Sequence, residues 1–262
     1  MLKYFRLYKI FFKINFMKDM TYRGNFFFGC TLTIFESVIS FLIITIIYSH
    51  IRSISGWSYE DTLVLTGINM LSISFGWLFY RGGLSDLDRV VNRGDFDWML
   101  VKPIDTQFLS TVNRIDIEDG SRSLVGFAII VYGMTGTKLF DVWYLFPLCI
   151  ITFLCGQVVL YAVFLIFKTV TFKSIQGWAT NGIAHRFQQL AQYPTDIYKG
   201  IVRVIYTYML PLIFVATVPA KILTGKFTWQ LCAGSLIAAI LSFIISRTIW
   251  KFAVKKYSSA SS

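Results

Sequence analysis

The sequence has 262 residues, of which 55% are hydrophobic and 18% aromatic, and its formal net charge is +11. Soluble domains are usually about 45–50% apolar, so this composition is typical of an integral membrane protein. A large positive charge can indicate nucleic-acid binding, but here most basic residues border apolar segments and no nucleic-acid-reading motif is present. Anionic membrane lipid explains the charge better, and no nucleic acid is expected as a partner.

Cysteines and histidines offer little for metal or redox chemistry. Cys30, Cys149, Cys155 and Cys232 show no C-x-x-C spacing and lie in apolar segments, which argues against a zinc site or a disulfide framework. The sequence also lacks a G-x-x-x-x-G-K-[ST] loop, an H-E-x-x-H motif and a G-x-S-x-G motif. We therefore expect no enzyme, no metal site and no cofactor in this chain, and an energy source in another polypeptide or an ion gradient.

Residues 1–23 are predicted to form an amphipathic helix that lies along the membrane surface. Basic residues recur there at helical spacing, and large apolar residues lie largely between them. The basic set is Lys3, Arg6, Lys9 and Lys13, and the apolar set is Leu2, Phe5, Phe12 and Phe16. The alternative is a solvated basic arm. No compact apolar core precedes a cleavage site, so a cleavable signal is not expected.

Six apolar segments are long enough to be candidates for membrane crossing, since about 20 helical residues span the hydrocarbon core. They cover residues 26–48, 62–80, 124–140, 142–167, 204–220 and 229–250. Pro211 lies inside the fifth segment and should kink or break it. The fold class predicted from this pattern is an all-α membrane protein, with six transmembrane helices in a single domain over residues 1–262.

The distribution of basic residues predicts the orientation. With six spans, 21 of the 25 Lys and Arg residues lie on the side that carries both termini. The other side has Arg52, Lys138, Lys221 and Lys226. Because cytoplasmic loops carry an excess of Lys and Arg, both termini are predicted to be cytoplasmic. The loops at residues 81–122 and 168–203 are placed on the same side.

Polar residues inside the first two spans are candidates for a translocation path. Glu36 lies in the middle of the first span, where a carboxylate must face protein or water. Asn69 and Ser72 belong to a second span that is rich in small and hydroxyl residues. Each has a structural alternative: Glu36 as a hydrogen-bonding partner of a neighbouring helix, and the second span as a surface for close helix packing.

The loop at residues 81–122 contains the most specific local pattern. Leu84, Leu87, Val90 and Val91 would form an apolar face and Asp86, Asp88, Arg89, Asn92 and Arg93 a charged face, with Gly94 as a helix stop. The segment Asp95-Phe96-Asp97-Trp98 then leads to Lys102-Pro103. A short amphipathic helix at the cytosolic face could fit a groove in another protein and transmit its movement. An inert surface helix is the alternative.

Residues 172–192 are moderately apolar and have a polar side that includes Asn181, His185 and Gln188. They are read as a surface or cavity-lining helix on the cytoplasmic side. A re-entrant segment or a seventh span is the alternative.

Several short pieces of the chain together carry a family resemblance. They are Leu84, Arg89-Val90-Val91, Gly94-Asp95-Phe96-Asp97, Leu100, Lys102-Pro103, Tyr193-Pro194, Ile197-Tyr198, Pro211, Pro219-Ala220 and Tyr257-Ser258-Ser259-Ala260. In this order and spacing they resemble the type-two ABC exporter permeases. More narrowly, they resemble the bacterial branch of uncharacterised ABC transport system permeases, sometimes labelled viologen exporters. Phe96 departs from the pattern, because an aliphatic residue is expected there.

The resemblance implies a function that composition does not reveal. Such permeases have six transmembrane helices and an N-terminal interfacial helix, and they pair with a second permease chain, identical or similar. Two cytosolic ABC ATPases bind ATP and Mg and hold short coupling helices in clefts. By this implication residues 84–93 form the coupling segment and residues 95–103 support it. The implied coupling residues are Leu84, Asp86, Leu87, Asp88, Arg89, Val90, Arg93, Asp95 and Asp97.

The expected function is that of the permease subunit of an ATP-driven exporter in the bacterial cell membrane. Its substrate would be amphipathic or hydrophobic, such as a drug, a peptide or a lipid-like molecule. A self-sufficient secondary transporter or channel is the main alternative, which would need paired intramembrane charges or broken helices in symmetric halves. A membrane-embedded enzyme is a weaker one, because His50 and His185 fall on opposite predicted sides.

Overall fold

The computed structural model of the chain describes residues 2–135, 143–172, 191–209 and 211–257, together with positions 182 and 188. Apart from one β-bridge between Ile54 and Trp57, the regular structure in these ranges is helical. The α-helices are α1 (Leu2–Thr21), α2 (Arg23–His50), α3 (Tyr59–Gly76), α4 (Gly82–Asn92), α5 (Phe96–Leu100), α6 (Thr106–Val112), α7 (Gly120–Thr135), α8 (Phe146–Thr169), α9 (Gly200–Val204), α10 (Thr217–Leu223) and α11 (Trp229–Lys255). Wider π-helical segments cover Trp77–Arg81 and Ile205–Met209, and 3₁₀ turns cover Trp143–Leu145, Val170–Phe172, Thr195–Ile197 and Leu212–Phe214.

Four helical stretches are long and apolar enough to cross a membrane. They are Arg23–His50, Tyr59–Asn92, Phe146–Phe172 and Trp229–Lys255. A bent pair, Gly200–Thr207 with Leu212–Leu223, makes a fifth if it counts as one span. These stretches confirm the all-helical membrane fold. The six-span count stays a prediction, because α7 has 16 residues and the rest of the third predicted span lies outside the described residues.

The second span continues into the loop predicted to be cytosolic without a break, which corrects its predicted end at residue 80. The helix runs from Tyr59 to Asn92 through the π-helical segment. Arg81, whose charge suggested a membrane boundary, is buried. Its guanidinium carbon lies 4.4 Å from the ring centroid of Trp77 and 4.8 Å from that of Phe164, and the side chain also donates to Gln188. These contacts stabilise a buried cation within the helix.

Close packing of α3 on α7 is achieved by glycine. A Cβ atom on Gly67 would lie 2.6 Å from the carbonyl oxygen of Gly126, and one on Gly126 would lie 2.9 Å from that of Gly67. The two backbones therefore touch, as small residues allow in membrane helices. This contact supports the packing explanation for the small residues of the second span.

The bundle has two chemically different ends. At the basic end, α4, α5 and α6 meet the C-terminal ends of α8 and α11, and exposed basic residues include Arg89, Arg93 and Lys251. At the far end, Trp57 packs with Leu145 and Leu223. Helix α1 contacts the basic end, where Lys3 Nζ donates to the Pro103 carbonyl. A helix forms over most of residues 1–23, whereas its amphipathic character and its position at a membrane surface stay predictions.

The loop at residues 168–203 does not remain on one side, which corrects the prediction from charge. Trp57 Nε1 donates to Asp196 Oδ2 at 3.0 Å, and Lys221 Nζ lies 2.7 Å from the same oxygen. Gln188, by contrast, binds Arg81. Gln188 therefore lies beside Arg81, whereas Asp196 lies at the far end. Most of residues 172–192 lie outside the described residues, so the choice between an interfacial and a re-entrant segment remains open there.

Candidate functional site

An exposed segment at the basic end, residues 93–103, is the strongest candidate for contact with another protein, and we call it the tip. It follows the C-terminus of α4, where Gly94 has a φ of 77° and ends the helix as predicted. The side chains of Trp98 and Val101 are 71% and 75% exposed. Large apolar side chains among charged neighbours are typical of binding surfaces.

The helix that leads to the tip is fixed to α8 by a buried ion pair. Lys168 Nζ lies 2.6 Å from Asp88 Oδ2, and Thr171 Oγ1 donates to Asp88 Oδ1 at 2.5 Å. Both Lys168 and Asp88 are buried. Because each charge is compensated by the other and by a hydroxyl, the pair holds α4 and the end of α8 in one geometry.

Four aromatic residues connect the tip to α8 and to the C-terminal helix. The ring centroid of Phe96 lies 4.9 Å from that of Phe172 and 5.1 Å from that of Tyr257, and Phe172 lies 5.3 Å from Trp250. The contacts are edge-on or tilted, which is the preferred geometry of aromatic pairs. This cluster explains why an aromatic residue occupies position 96, because an aliphatic side chain would lose these ring contacts.

A second polar link joins the segment after the tip to α11. Arg247 Nη1 donates to Asp105 Oδ1 at 3.0 Å and to Gln107 Oε1 at 2.6 Å, and its Nη2 also binds Asp105. Burial by itself would raise the pKa of Asp105, but the hydrogen bonds from Arg247 and from the Phe108 amide outweigh it and lower that pKa. The carboxylate is therefore ionised at neutral pH.

Helix α4 also packs directly on the backbone of α6. A Cβ atom on Gly83 would lie 2.2 Å from the Thr111 carbonyl oxygen and 2.4 Å from that of Ser110. No side chain fits between the two elements, so a displacement of the tip must move α4 and α6 together.

The structure divides the predicted coupling residues into a surface set and a buried set. Arg89, Arg93 and Asp95 are exposed and Asp97 is half-buried. The buried set is Leu84, Asp86, Leu87, Asp88 and Val90. The apolar face of this helix packs inside its own chain, so the buried set could act only by supporting the tip. Its role in coupling stays a prediction.

The predicted path residues have different surroundings. Glu36 Oε2 accepts from Arg122 Nη2 at 2.9 Å, so the carboxylate has a cationic partner on α7 that spacing did not reveal. Arg122 also binds Asp119. Ser72 accepts from Gln157, whose side-chain oxygen accepts from Tyr80.

Asn69 lies on the same helix as Ser72 and is also buried. Its Oδ1 has no hydrogen-bond partner among the described residues. Glu36 is exposed, whereas Asn69 and Ser72 are buried between helices. The part of these three residues in translocation stays a prediction. Within the described ranges no group of His, Cys, Asp or Glu is placed to hold a metal ion.

A comparison with protein families identifies the class of this protein. The model of the ABC-2 family transporter protein matches residues 34–261. The chain belongs to the ABC-2 transporter family. As a member of that family it is a membrane component of an ABC transporter, and such components normally work with ABC ATPases. The match confirms the resemblance to type-two ABC permeases, whereas the viologen-exporter branch stays a prediction. No curated protein is similar enough to the chain to count as a match.

Proposed function

We propose that this ABC-2 family member is the permease subunit of an ATP-driven exporter in a bacterial cell membrane. Two cytosolic ABC ATPases would bind at the basic end and hold ATP and Mg, and a second permease chain, identical or similar, would complete the path. Both termini would be cytoplasmic, and an amphipathic or hydrophobic substrate would move outward. The observation that carries this proposal is the exposed tip, which follows a buried helix held by the Asp88–Lys168 pair and by its packing on α6.

The contacts around the tip supply a mechanism for coupling. A partner that grips Trp98 and Val101 and closes on ATP binding would push on α5. The aromatic cluster around Phe96 transfers that movement to α8 and α11. The Asp88–Lys168 pair then joins α8 to α4, which continues the second span. Rigid-body movement is favoured because packed interfaces resist gradual deformation.

Co-purification tests the proposal. A tagged permease, expressed with a phosphate-loop ABC ATPase from the same genome, should retain the ATPase during affinity purification. Replacing Trp98→Ser and Val101→Ser together should abolish retention, because an interface loses most of its binding energy with its exposed aromatic anchor. Phe252→Ser is the matched control, since this exposed residue lies on α11 near the basic end but outside the tip. A permease that transports alone, or a tip variant that retains the ATPase, would contradict the proposal.

A self-sufficient transporter is a second candidate because of two features. The Glu36–Arg122 pair supplies paired charges, and the bent pair after Gly200 supplies a broken helix. Reconstitution of the purified chain distinguishes the candidates. Transport that needs an ion gradient and no ATPase would favour the second.

A further inference from the structure

Two adjoining cavities form one groove on the side of the bundle near the basic end. One has a volume of about 370 Å³ and the other about 290 Å³. Both are lined by Thr111, Tyr161 and Phe243, so they meet at these residues. The first cavity includes Asp105 and Arg247, whereas the second is lined mainly by apolar and aromatic side chains. The groove is thus polar at one end and apolar at the other.

The polar end carries one positive and one negative group side by side. Arg247 and Asp105 form an ion pair in which each side chain is 30% exposed. The guanidinium makes three hydrogen bonds to Asp105 and Gln107, which leaves its Nε–H and one Nη2–H for a further acceptor. The Asp105 carboxylate is ionised and can accept another donor. The groove end is therefore complementary to a ligand that is itself zwitterionic.

Three helices place the apolar end farther from the basic end. Along α8, Leu154 and Val158 precede Tyr161, and along α11, Phe243 precedes Arg247 by one turn. Phe75 on α3 lines the same apolar end. If these helices cross the membrane, the ion pair lies near the headgroups and the apolar end lies at hydrocarbon depth. The polar and apolar ends of the groove would thus lie at the same depths as the headgroup and the acyl chains of a lipid.

Helix α1 lies beside the groove and gives it an interfacial wall. The ring of Tyr4 packs edge-on to Phe108 at 4.8 Å, and the ring of Tyr8 stacks on Phe79 at 5.5 Å. The Tyr8 hydroxyl also donates to the Leu78 carbonyl at 3.1 Å. The N-terminal helix therefore borders the groove at both its polar and its apolar end.

We propose that this groove binds one zwitterionic phospholipid with a primary ammonium headgroup, of the phosphatidylethanolamine class. Its phosphate accepts from Arg247, its ammonium donates to Asp105, and one acyl chain lies between Phe75, Val158 and Phe243. An anionic headgroup would satisfy Arg247 but face the Asp105 carboxylate. A choline headgroup has no N–H to donate. The ligand goes beyond the proposed export function, since its binding requires membrane insertion but no ATPase.

Lipid retention by the purified chain tests this site. The protein is incorporated into lipid nanodiscs made of equal parts phosphatidylethanolamine, phosphatidylcholine and phosphatidylglycerol, then transferred to detergent, and the retained lipid is quantified by native mass spectrometry. We expect one phosphatidylethanolamine per chain, several-fold enriched over the other two. Arg247→Gln should weaken its retention roughly tenfold, because charge-assisted hydrogen bonds to the phosphate are lost. Lys251→Gln, one turn further along and outside the groove, should retain it.

A second variant tests the apolar end without disturbing the ion pair. Val158→Trp should fill the space of the acyl chain and abolish retention, whereas Ile151→Trp, at an exposed position on the same helix, should not. The proposal is overturned if the retained lipids match the bulk composition, if phosphatidylglycerol is enriched instead, or if Val158→Trp retains phosphatidylethanolamine. Because the assay contains no ATPase, its failure leaves the co-purification test of the exporter unaffected.

Discussion

The long helix Tyr59–Asn92 and the bent pair Gly200–Thr207 with Leu212–Leu223 are both apolar, yet one is continuous and the other turns by 66°. The long helix contains no proline, and its buried charges are compensated: Arg81 stacks between aromatic rings and Asp88 pairs with Lys168. Pro211, which cannot donate a backbone hydrogen bond, lies at the break of the bent pair. Apolar composition therefore favours a position in the membrane for both elements. Proline and specific side-chain contacts decide whether the helix is continuous, and a continuous helix can transmit a displacement along its length.

Of the changes considered, removing one partner of the buried ion pair between α4 and α8 should lower the stability of the protein most. Lys168→Met leaves the Asp88 carboxylate buried without its cation, and the free energy of unfolding should fall by about 3–5 kcal/mol. Equilibrium unfolding in mixed micelles measures this loss. The double variant Asp88→Leu with Lys168→Met should recover most of it, because no uncompensated charge remains. A single variant as stable as the wild type would show that the pair does not fix α4 to α8.

A methyl group at the α3–α7 contact should have the next largest effect. Gly67→Ala places a Cβ against the Gly126 backbone, so the helices must separate, at a cost of roughly 1–3 kcal/mol. Thermal unfolding of the purified protein measures the change. Gly24→Ala is the control, since nothing lies within 4 Å of that Cβ. Equal melting temperatures for the two variants would argue against the close packing described for α3.

Loss of the Asp196 charge should affect the bent region less. Asp196→Asn keeps an acceptor for the Trp57 indole but removes the ion pair with Lys221, a partly exposed contact worth about 1 kcal/mol. Thermal unfolding should begin at a lower temperature, and the indole fluorescence of Trp57 should shift as its surroundings become less tightly packed. Unchanged fluorescence and stability would place Asp196 away from the far end, in agreement with the original charge-based topology.

The smallest effect on stability is expected at the surface. Arg89→Gln removes an ion pair with Asp86 in which Arg89 is 56% and Asp86 7% exposed, but the glutamine amide can still donate to the carboxylate, so stability should change by less than about 1 kcal/mol. Transport driven by the partner ATPase should nevertheless fall, because Arg89 lies beside the tip. Transport assays in proteoliposomes with the ATPase measure it. Charge reversal at the buried Asp88 cannot serve here, since it would disturb the fold as well as the coupling.

Much of the helical fold could be predicted from the sequence, because apolar length and proline act locally. The apolar face at residues 84–93 and the stop at Gly94 were also predictable from periodicity and glycine chemistry. Periodicity shows that a face is buried, but it does not show against what. The face packs on α6 and α8 of the same chain, so it is not available for direct insertion into a partner. Spacing alone does not show this.

Contacts between distant residues explain the rest of the difference. Glu36 pairs with Arg122, and Asp196 with Lys221, over separations that no local pattern encodes. The aromatic surroundings of Phe96 come from residues 172, 250 and 257, which spacing does not link. The charge-based topology assigned the whole segment 168–203 to one side, because it weighs basic residues and does not detect the contacts of the Asp196 carboxylate with Trp57 and Lys221.

Cysteine labelling of the tip tests the central claim most directly. The variant Arg93→Cys, in a background where the half-buried Cys30 is replaced by Ser and the other cysteines stay buried, is treated with a membrane-impermeant maleimide. We expect no labelling in intact cells, labelling once the membrane is opened, and protection when the ATPase is bound. Labelling of intact cells would place the tip outside the cell and contradict its proposed role as the ATPase contact.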